Sequence, residues 1–503
     1  MAKQSEEQLE LRKSLPLVEG NVDYLIFEAR LIEASNLLQN SGLEDAYVDK
    51  CISAWLSEIR RAAEKKNQCF RMPSQKEQAR YQFMCRQALR CNIARQLTEK
   101  EYRRFSRRLA ESALLQWFCL ADRVDRIRVP TKSTLERYDK LLSESEIRAL
   151  VDMLNRKAFE ESERLNLAEA LKFDVYLSDT TCVKANIHFP TDWVLLRDGV
   201  RTLMKAVKVI RKHGLLHRMP NPDSFLSEIN RLSIEMSQNR RRPDSYKLRK
   251  SVLRRMKRLT KIVKEHAQRY SQQLQANWQT ETDLSEGMMQ HIVRRIDGIV
   301  EQLPAAIRQA HERIIGGRQV ENSEKILSLY EPDIHVIVRK KAEAEVEFGN
   351  TLFLAEQADG LIVDWKLEKE STPGDIALMK QSLTRMKTVI GRYPSAVGAD
   401  RGFCSRANHL WLKKEGITDA VCPRSPQELS RQMKNREFRR IQKRRAQTEG
   451  RIGILKNDYL GRPLRSKGFA HREIDVAWAV LAHNIRLIAS LALKAQEKQL
   501  KAA

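Results

Sequence analysis

At 503 residues the chain is too long for a single compact core, and its length alone suggests about three domains. Lys and Arg number 91 against 65 Asp and Glu, a net charge of +26 that makes an extended polyanion, nucleic acid above all, the natural partner. Eight cysteines (51, 69, 85, 91, 119, 182, 404 and 422) lie scattered without a C-x-x-C pair, which excludes zinc fingers and a disulfide framework and fits reduced thiols in a cytosol.

The opening MAKQSEEQLELRK has neither an apolar export signal nor a lipidation motif. Residues 1–165 read as nearly continuous helix, with apolar positions recurring at three and four. Within them Ala110 to Phe118 forms a helix, and a second restarts over Pro130 to Tyr138, with Ser133 and Glu136 at capping-box spacing. That order suits either a helix-turn-helix DNA reader or an ordinary helical hairpin.

Beyond Leu171 the pattern turns to strand: Phe173, Val175 and Leu177 alternate in a segment that ends at Asp179. A helical insertion over 193–325 follows. In it Leu248, Val252, Met256, Leu259, Val263, Ala267 and Tyr270 share one helix face opposite a basic one, which is either a solvated surface or a phosphate contact. Strands resume over 334–338, then in the alternation of Val346, Phe348, Leu352 and Leu354 up to an Asp359-Gly360 turn, then in Leu361, Val363, Trp365 and Leu367. Glu347, alternating with Val346 and Phe348, is expected on a solvent face.

A helix signalled by Thr372 and Pro373 carries Ile376, Met379, Leu383, Met386 and Ile390 and stops at Gly391. The short strand Ala396 to Ala399 runs into Asp400. A helix over 406–414, a strand over 417–422 and basic helices capped at Ser425 and carrying Glu449 complete the order β, insertion, β-β, α, β, α, β, α. The most apolar stretch, Ile474 to Leu493, is interrupted by Asp475, His483, Asn484 and Arg486 and reads as an amphipathic C-terminal helix, not a membrane span. A soluble cytoplasmic protein associated with the nucleoid, with no membrane partner, is expected.

Three acids stand out by position. Cutting a phosphodiester calls for metal ions held by oxygen ligands on rigid elements, and strand ends plus an overlying helix supply such a frame. Asp179 and Asp400 close two strands, 221 residues apart, that can lie side by side in a mixed sheet. On the helix, Arg445, Glu449 and Lys456 fall within about 40° of one face. The run from Arg431 to Arg445 holds eight Lys or Arg and one acid, a potential well for phosphate. An i,i+4 surface pair between Arg445 and Glu449 is the alternative use of those two residues.

The segments Ser178-Asp179-Thr180-Thr181 with Asn186-Ile187-His188-Phe189-Pro190-Thr191-Asp192, Ala399-Asp400-Arg401-Gly402-Phe403, and Glu449-Gly450-Arg451-Ile452-Gly453 with Lys456 resemble the three blocks of the DDE transposases of bacterial insertion sequences. The element order is similar to their ribonuclease H-like catalytic domain. The resemblance implies an α/β fold, a ribonuclease H-like mixed sheet (166–192 and 326–470) interrupted by the helical insertion, with an all-α DNA-binding region at 1–165 and a C-terminal helix at 471–503. It implies that Asp179, Asp400 and Glu449 are catalytic and hold two Mg²⁺ ions, Mn²⁺ being able to substitute. Arg445, Lys456, Arg451, Arg440, Arg444, Lys443 and Arg401 are the expected DNA contacts. The implied partners are double-stranded DNA, both terminal inverted repeats and target, and further copies of the chain in a synaptic complex. Of the family's Tyr, Arg, Glu and Lys signature the chain supplies Arg445, Glu449 and Lys456, with Gln442 where Tyr would stand. Asn186, Thr191 and Asp192 have a local alternative, shaping the turn after the strand and capping the next helix. A ribonuclease H-like nuclease and a non-catalytic DNA binder derived from a transposase are the competing functions.

Overall fold

The computed structural model describes residue 15 and residues 17–123, 126–238, 245–341, 344–370 and 374–502. Among the described residues seven helices come first: α1 (Val22–Asn40), α2 (Leu43–Lys65), α3 (Gln75–Thr98), α4 (Tyr102–Glu111), α5 (Ala113–Phe118), α6 (Lys132–Tyr138) and α7 (Glu144–Glu160). Two of them, α3 and α7, open in capping boxes, Ser74 with Glu77 and Ser143 with Glu146. The helix expected across residues 110–118 is broken at Ser112, whose Oγ accepts the Leu115 amide and starts α5. The cap of α6 is Thr131 and not Ser133: Thr131 is extended, and its Oγ1 accepts the Thr134 amide. Asp122 and Ile127 form an antiparallel bridge between α5 and α6. The two helices therefore lack the short turn that joins a helix-turn-helix pair.

Strand β1 (Val175–Lys184) leads into the insertion: α8 (Asp192–Lys212), α9 (Pro222–Gln238), α10 (Ser245–Glu281) and α11 (Glu286–Ala310). These four helices bury a core of their own, with Leu203, Val207, Met256, Val263, Tyr270, Ile296 and Leu303 at its centre. The apolar stripe of α10 is thus a packing face, as its spacing requires, except that Leu248 at its start is exposed.

The chain then returns as β2 (His335–Lys341), β3 (Ala344–Gln357), β4 (Ile362–Leu367), α12 (Gly374–Ile390), β5 (Ala396–Ala399), α13 (Arg406–Lys414), β6 (Thr418–Val421), α14 (Pro426–Gln432), α15 (Arg436–Arg444), α16 (Ala446–Ile454) and α17 (Phe469–Ala502). The expected start signal of α12, Thr372 and Pro373, lies outside the described residues. The sheet runs β2-β3-β1-β5-β6, with β4 paired to β3 on the edge it shares with β2. β1 is antiparallel to β3 and parallel to β5, and β5 is parallel to β6, so the sheet is mixed and β1 sits at its centre. This mixed α/β architecture is consistent with a ribonuclease H-like transposase fold.

Both faces of the sheet are covered. Tyr176, Phe353, Val363 and Val397 pack under Leu378, Met379, Leu383 and Met386 of α12. Leu177, Ala396 and Ala420 pack under Phe438 and Ile441 of α15. Leu352 and Leu354 join Trp478, Ile485 and the N-terminal helices in the largest core. Burial from both sides, and not the one-sided alternation read in the sequence, explains why β3 and β4 are apolar at consecutive positions. Glu347, expected on a solvent face, is half-buried and pairs with Lys184 at 2.9 Å.

The last helix departs from its amphipathic reading. Phe469–Lys498 is long and apolar enough to cross a membrane, yet 72% of its most apolar window is buried inside the protein. Its polar residues tie it to the sheet: Asn484 accepts the Ile362 amide (3.1 Å) and donates to the Ile362 carbonyl (2.8 Å), and His483 meets the Gly360 carbonyl. One side-chain amide thereby satisfies both backbone groups of a residue in edge strand β4.

Candidate active site

Asp179 lies in the middle of β1, not at its end, because the strand continues to Lys184 alongside the long partner β3. Its parallel partner β5 is shorter: Ser178 pairs with Ala399, where β5 stops, so Asp179 and Asp400 are the next residues on two strands about 4.8 Å apart. Leu177, Asp179 and Thr181 share the face that α15 and α16 cover, and Gly398, two residues before Asp400, faces Ile441 of α15. The Asp400 carboxylate accepts the Gly402 amide at 2.8 Å, which fixes it at the start of a single 3₁₀ turn.

A β-carbon at Gly398 would sit 2.7 Å from Ile441 Cγ2 and 2.9 Å from Leu177 Cδ2, so the absent side chain sets how closely α15 approaches the sheet. Gly398→Val is expected to cost about 1–3 kcal/mol by overpacking and to push α15 and Glu449 outward. A thermal melt beside Gly398→Ala checks this: equal melting of Val, Ala and parent would mean that the helix is not seated on that strand.

Glu449 sits on α16, exposed, with Arg445 Nη1 3.4 Å from its carboxylate. The sequence left two uses open for this pair, and the i,i+4 contact forms. Glu449 nonetheless acts on Asp179. Burial, then the charge of Asp400, and more weakly that of Glu449, push the Asp179 carboxyl up to about 6, against the pull of the Thr180 amide and Arg445. Like charges thus crowd one spot on the sheet. Among the described residues, no group of three or more His, Cys, Asp and Glu stands close enough to hold a metal ion. Asp179 and Asp400 are oxygen donors of the kind a hard divalent cation takes, and their adjacency on neighbouring strands fits such an ion.

The expected DNA contacts divide. Lys456 reaches the acids, its Nζ donating to Thr181 Oγ1 (3.2 Å) beside Asp179. Arg440, Lys443 and Arg444 are exposed on α15, opposite buried Phe438 and Ile441, with Arg444 also donating to the Ala358 carbonyl. Arg401 is exposed in the turn after Asp400. Arg451 differs from the others: it turns inward to Glu356, a fully buried carboxylate on β3, with Nε 3.0 Å from Oε2. Gln442, in the place of the signature Tyr, donates to the carbonyls of Ala399 and Ala420 and so clamps the tips of β5 and β6 beside Asp400. Downstream of β1, Asp192 is buried against Arg313 (2.9 Å) and Gln309, and Thr191 makes no side-chain cap on α8.

Two features escaped sequence reading. Asp375, at the start of α12, stands across Gly402 from Asp400: a β-carbon on that glycine would meet Asp375 Oδ2 at 2.4 Å and Asp400 Oδ1 at 3.0 Å. The sequence signal was the glycine itself, two residues past an acid. Glu356 gave no signal, being one acid in an apolar strand.

Residues 354–485 match the family described as transposase DDE domain. No curated protein and no solved structure matches the chain. The matched segment begins on β3 at the residue paired with Asp179 and contains Asp400 and Glu449.

Proposed function

We propose that this protein, whose residues 354–485 match the transposase DDE domain family, is a DNA transposase of the insertion-sequence type that cleaves at the ends of its element and joins the freed 3′ hydroxyl to target DNA. The observation that carries the reading is that Asp179 and Asp400 are the next residues on two neighbouring parallel strands, on the face beneath a basic helix. The three carboxylates would hold two Mg²⁺ ions, or Mn²⁺ in their place. Bound there, the ions shield the phosphate and favour deprotonation of the attacking hydroxyl.

The chain's own residues do the rest. Asp179 and Asp400 are fixed by strand pairing and a backbone hydrogen bond, so little reorganises when a substrate arrives. Glu449, on a helix and exposed, is the adjustable member, and its departure from Arg445 leaves that guanidinium for a DNA phosphate. Arg440, Lys443, Arg444 and Arg401 line the approach, and Lys456 stands at the acids. The sheet (166–192 and 326–470) forms the catalytic domain. The N-terminal helices (1–165) and the insertion (193–325) add DNA-contacting surface, and the C-terminal helix (471–503) anchors the sheet edge. The protein works in the cytoplasm on nucleoid DNA, as a homo-oligomer that holds two ends together.

The test is a joining assay with Mg²⁺ on DNA that carries the inverted repeats flanking the gene. Labelled 3′ ends are expected in target DNA. Cleavage without joining would make the protein a ribonuclease H-like nuclease, and binding without either would make it a non-catalytic binder of transposase descent.

A further inference from the structure

One polar chain near the acids has no part in the chemistry above. Cys404 closes the turn that begins at Asp400, its amide donating to the Arg401 carbonyl. Its Sγ lies 3.3 Å from Nε2 of His409, one turn into α13. The other ring nitrogen, Nδ1, contacts the Asp419 carboxylate on β6, whose second oxygen accepts the Val421 amide. Asp419 is therefore anchored by the sheet and accepts a hydrogen bond from Nδ1–H, which leaves Nε2 as the acceptor facing the thiol. Nucleophile, base and orienting carboxylate follow one another in hydrogen-bond order.

Three of the eight thiols, Cys69, Cys404 and Cys422, are not buried. Cys51, Cys85, Cys91, Cys119 and Cys182 are buried, and Cys422 is half-buried with its Sγ against the Pro423 carbonyl. Cys69 is exposed and stands in the loop before α3. Cys404 is half-buried, and His409 keeps about a third of its side chain in solvent (35%). A small reagent can reach Cys404, and His409 can pass a proton to water.

We propose that Cys404 is an activated thiol and a modification site for small electrophiles and hydroperoxides, with His409 as its base and Asp419 as the residue that positions His409. With iodoacetamide, the sulfur forms an S–C bond, the C–I bond breaks, iodide leaves with the electron pair and the thiol proton goes to Nε2 of His409. With hydrogen peroxide, the sulfur attacks one oxygen and the O–O bond breaks. The sulfur is oxidised by two electrons to sulfenic acid, and the second oxygen, reduced, leaves as water with the relayed proton. Either adduct enlarges the residue that ends the Asp400 turn, so modification also lowers DNA cleavage. That last consequence rests on the proposed function; the reactivity does not.

The experiment maps iodoacetamide adducts on the full chain by mass spectrometry over time, with Cys69 as the internal clock. Cys404 is expected to label about tenfold faster than Cys69 despite lower exposure. His409→Gln should bring it to or below the Cys69 rate, and Asp419→Asn should give a smaller fall. Labelling of Cys404 no faster than Cys69 in the parent, or a rate unchanged in His409→Gln, overturns the proposal. Labelling of Cys51 or Cys91 in a variant would reveal unfolding, and the parent ratio then decides alone. Cys404→Ser should retain DNA cleavage and make it insensitive to peroxide. If the parent labels fast but cleaves no DNA, the transposase reading fails and the reactive thiol stands.

Discussion

Asp179→Asn is expected to stop DNA cleavage and joining, by about 10³-fold or more, while raising the melting temperature at neutral pH. The two effects have one cause. In the folded chain the Asp179 carboxyl sits at about 6 against an ordinary 3.8, because burial and then Asp400 disfavour its charge. A raised acid binds its proton more tightly when folded. Its contribution to stability is therefore fully present below pH 3.8 and is lost as the pH rises through about 6. At pH 7.5 the parent bears the whole penalty, and removing the charge without changing shape recovers about 1–3 kcal/mol. The gap between variant and parent should close below about pH 4. Melting curves across that range check the sign: an acid serving only to hold β1 in place would lose stability on neutralisation, at every pH where it is charged. DNA retained in a gel shift by the inert variant would separate lost chemistry from lost binding.

The same crowding shows what the sequence could and could not tell. Strand and helix order, the insertion and the meeting of Asp179 with Asp400 were legible, because alternation and turn residues mark strands and a parallel pair brings equivalent ends together. The end of β1 was not: Thr180, Thr181 and Lys184 are polar around buried Cys182 and Val183, and the pairing with β3 beside them keeps that segment extended. Helix α17 was misread for a related reason. Asn484 and His483 looked like a wet face but are buried hydrogen-bond partners of the β4 edge and the turn before it, and local pattern cannot distinguish a solvated polar residue from a satisfied one. Nor could composition sort the basic residues near Glu449. On α15 the charges of Arg440, Lys443 and Arg444 point to solvent, whereas one helix later Arg451 points into the protein, and the carboxylate that turns it lies 95 residues away on strand β3.

Arg451→Met should accordingly unfold the protein more readily and leave its grip on DNA intact. Glu356 has no exposed surface; its Oε2 takes Arg451 Nε at 3.0 Å and Gln447 Nε2 at 3.3 Å, and its Oε1 is buried with no hydrogen-bond partner. The site is built around the guanidinium, since a β-carbon on Gly360 would lie 2.0 Å from Arg451 Nη2. Removing the only ion-pair partner of Glu356 among the described residues strands a charge in a low-dielectric interior, a loss of about 3–5 kcal/mol. Urea unfolding measures it. The double variant Glu356→Leu/Arg451→Met, which removes both charges at similar volume, should recover most of that loss, because burying the pair itself carries a desolvation cost. Lys443→Ala and Arg440→Ala should behave in the opposite way, weakening DNA binding and flattening its salt dependence with little effect on unfolding. If Arg451→Met weakened DNA binding in proportion to those two and left the urea midpoint unmoved, the arginine would be a phosphate contact after all.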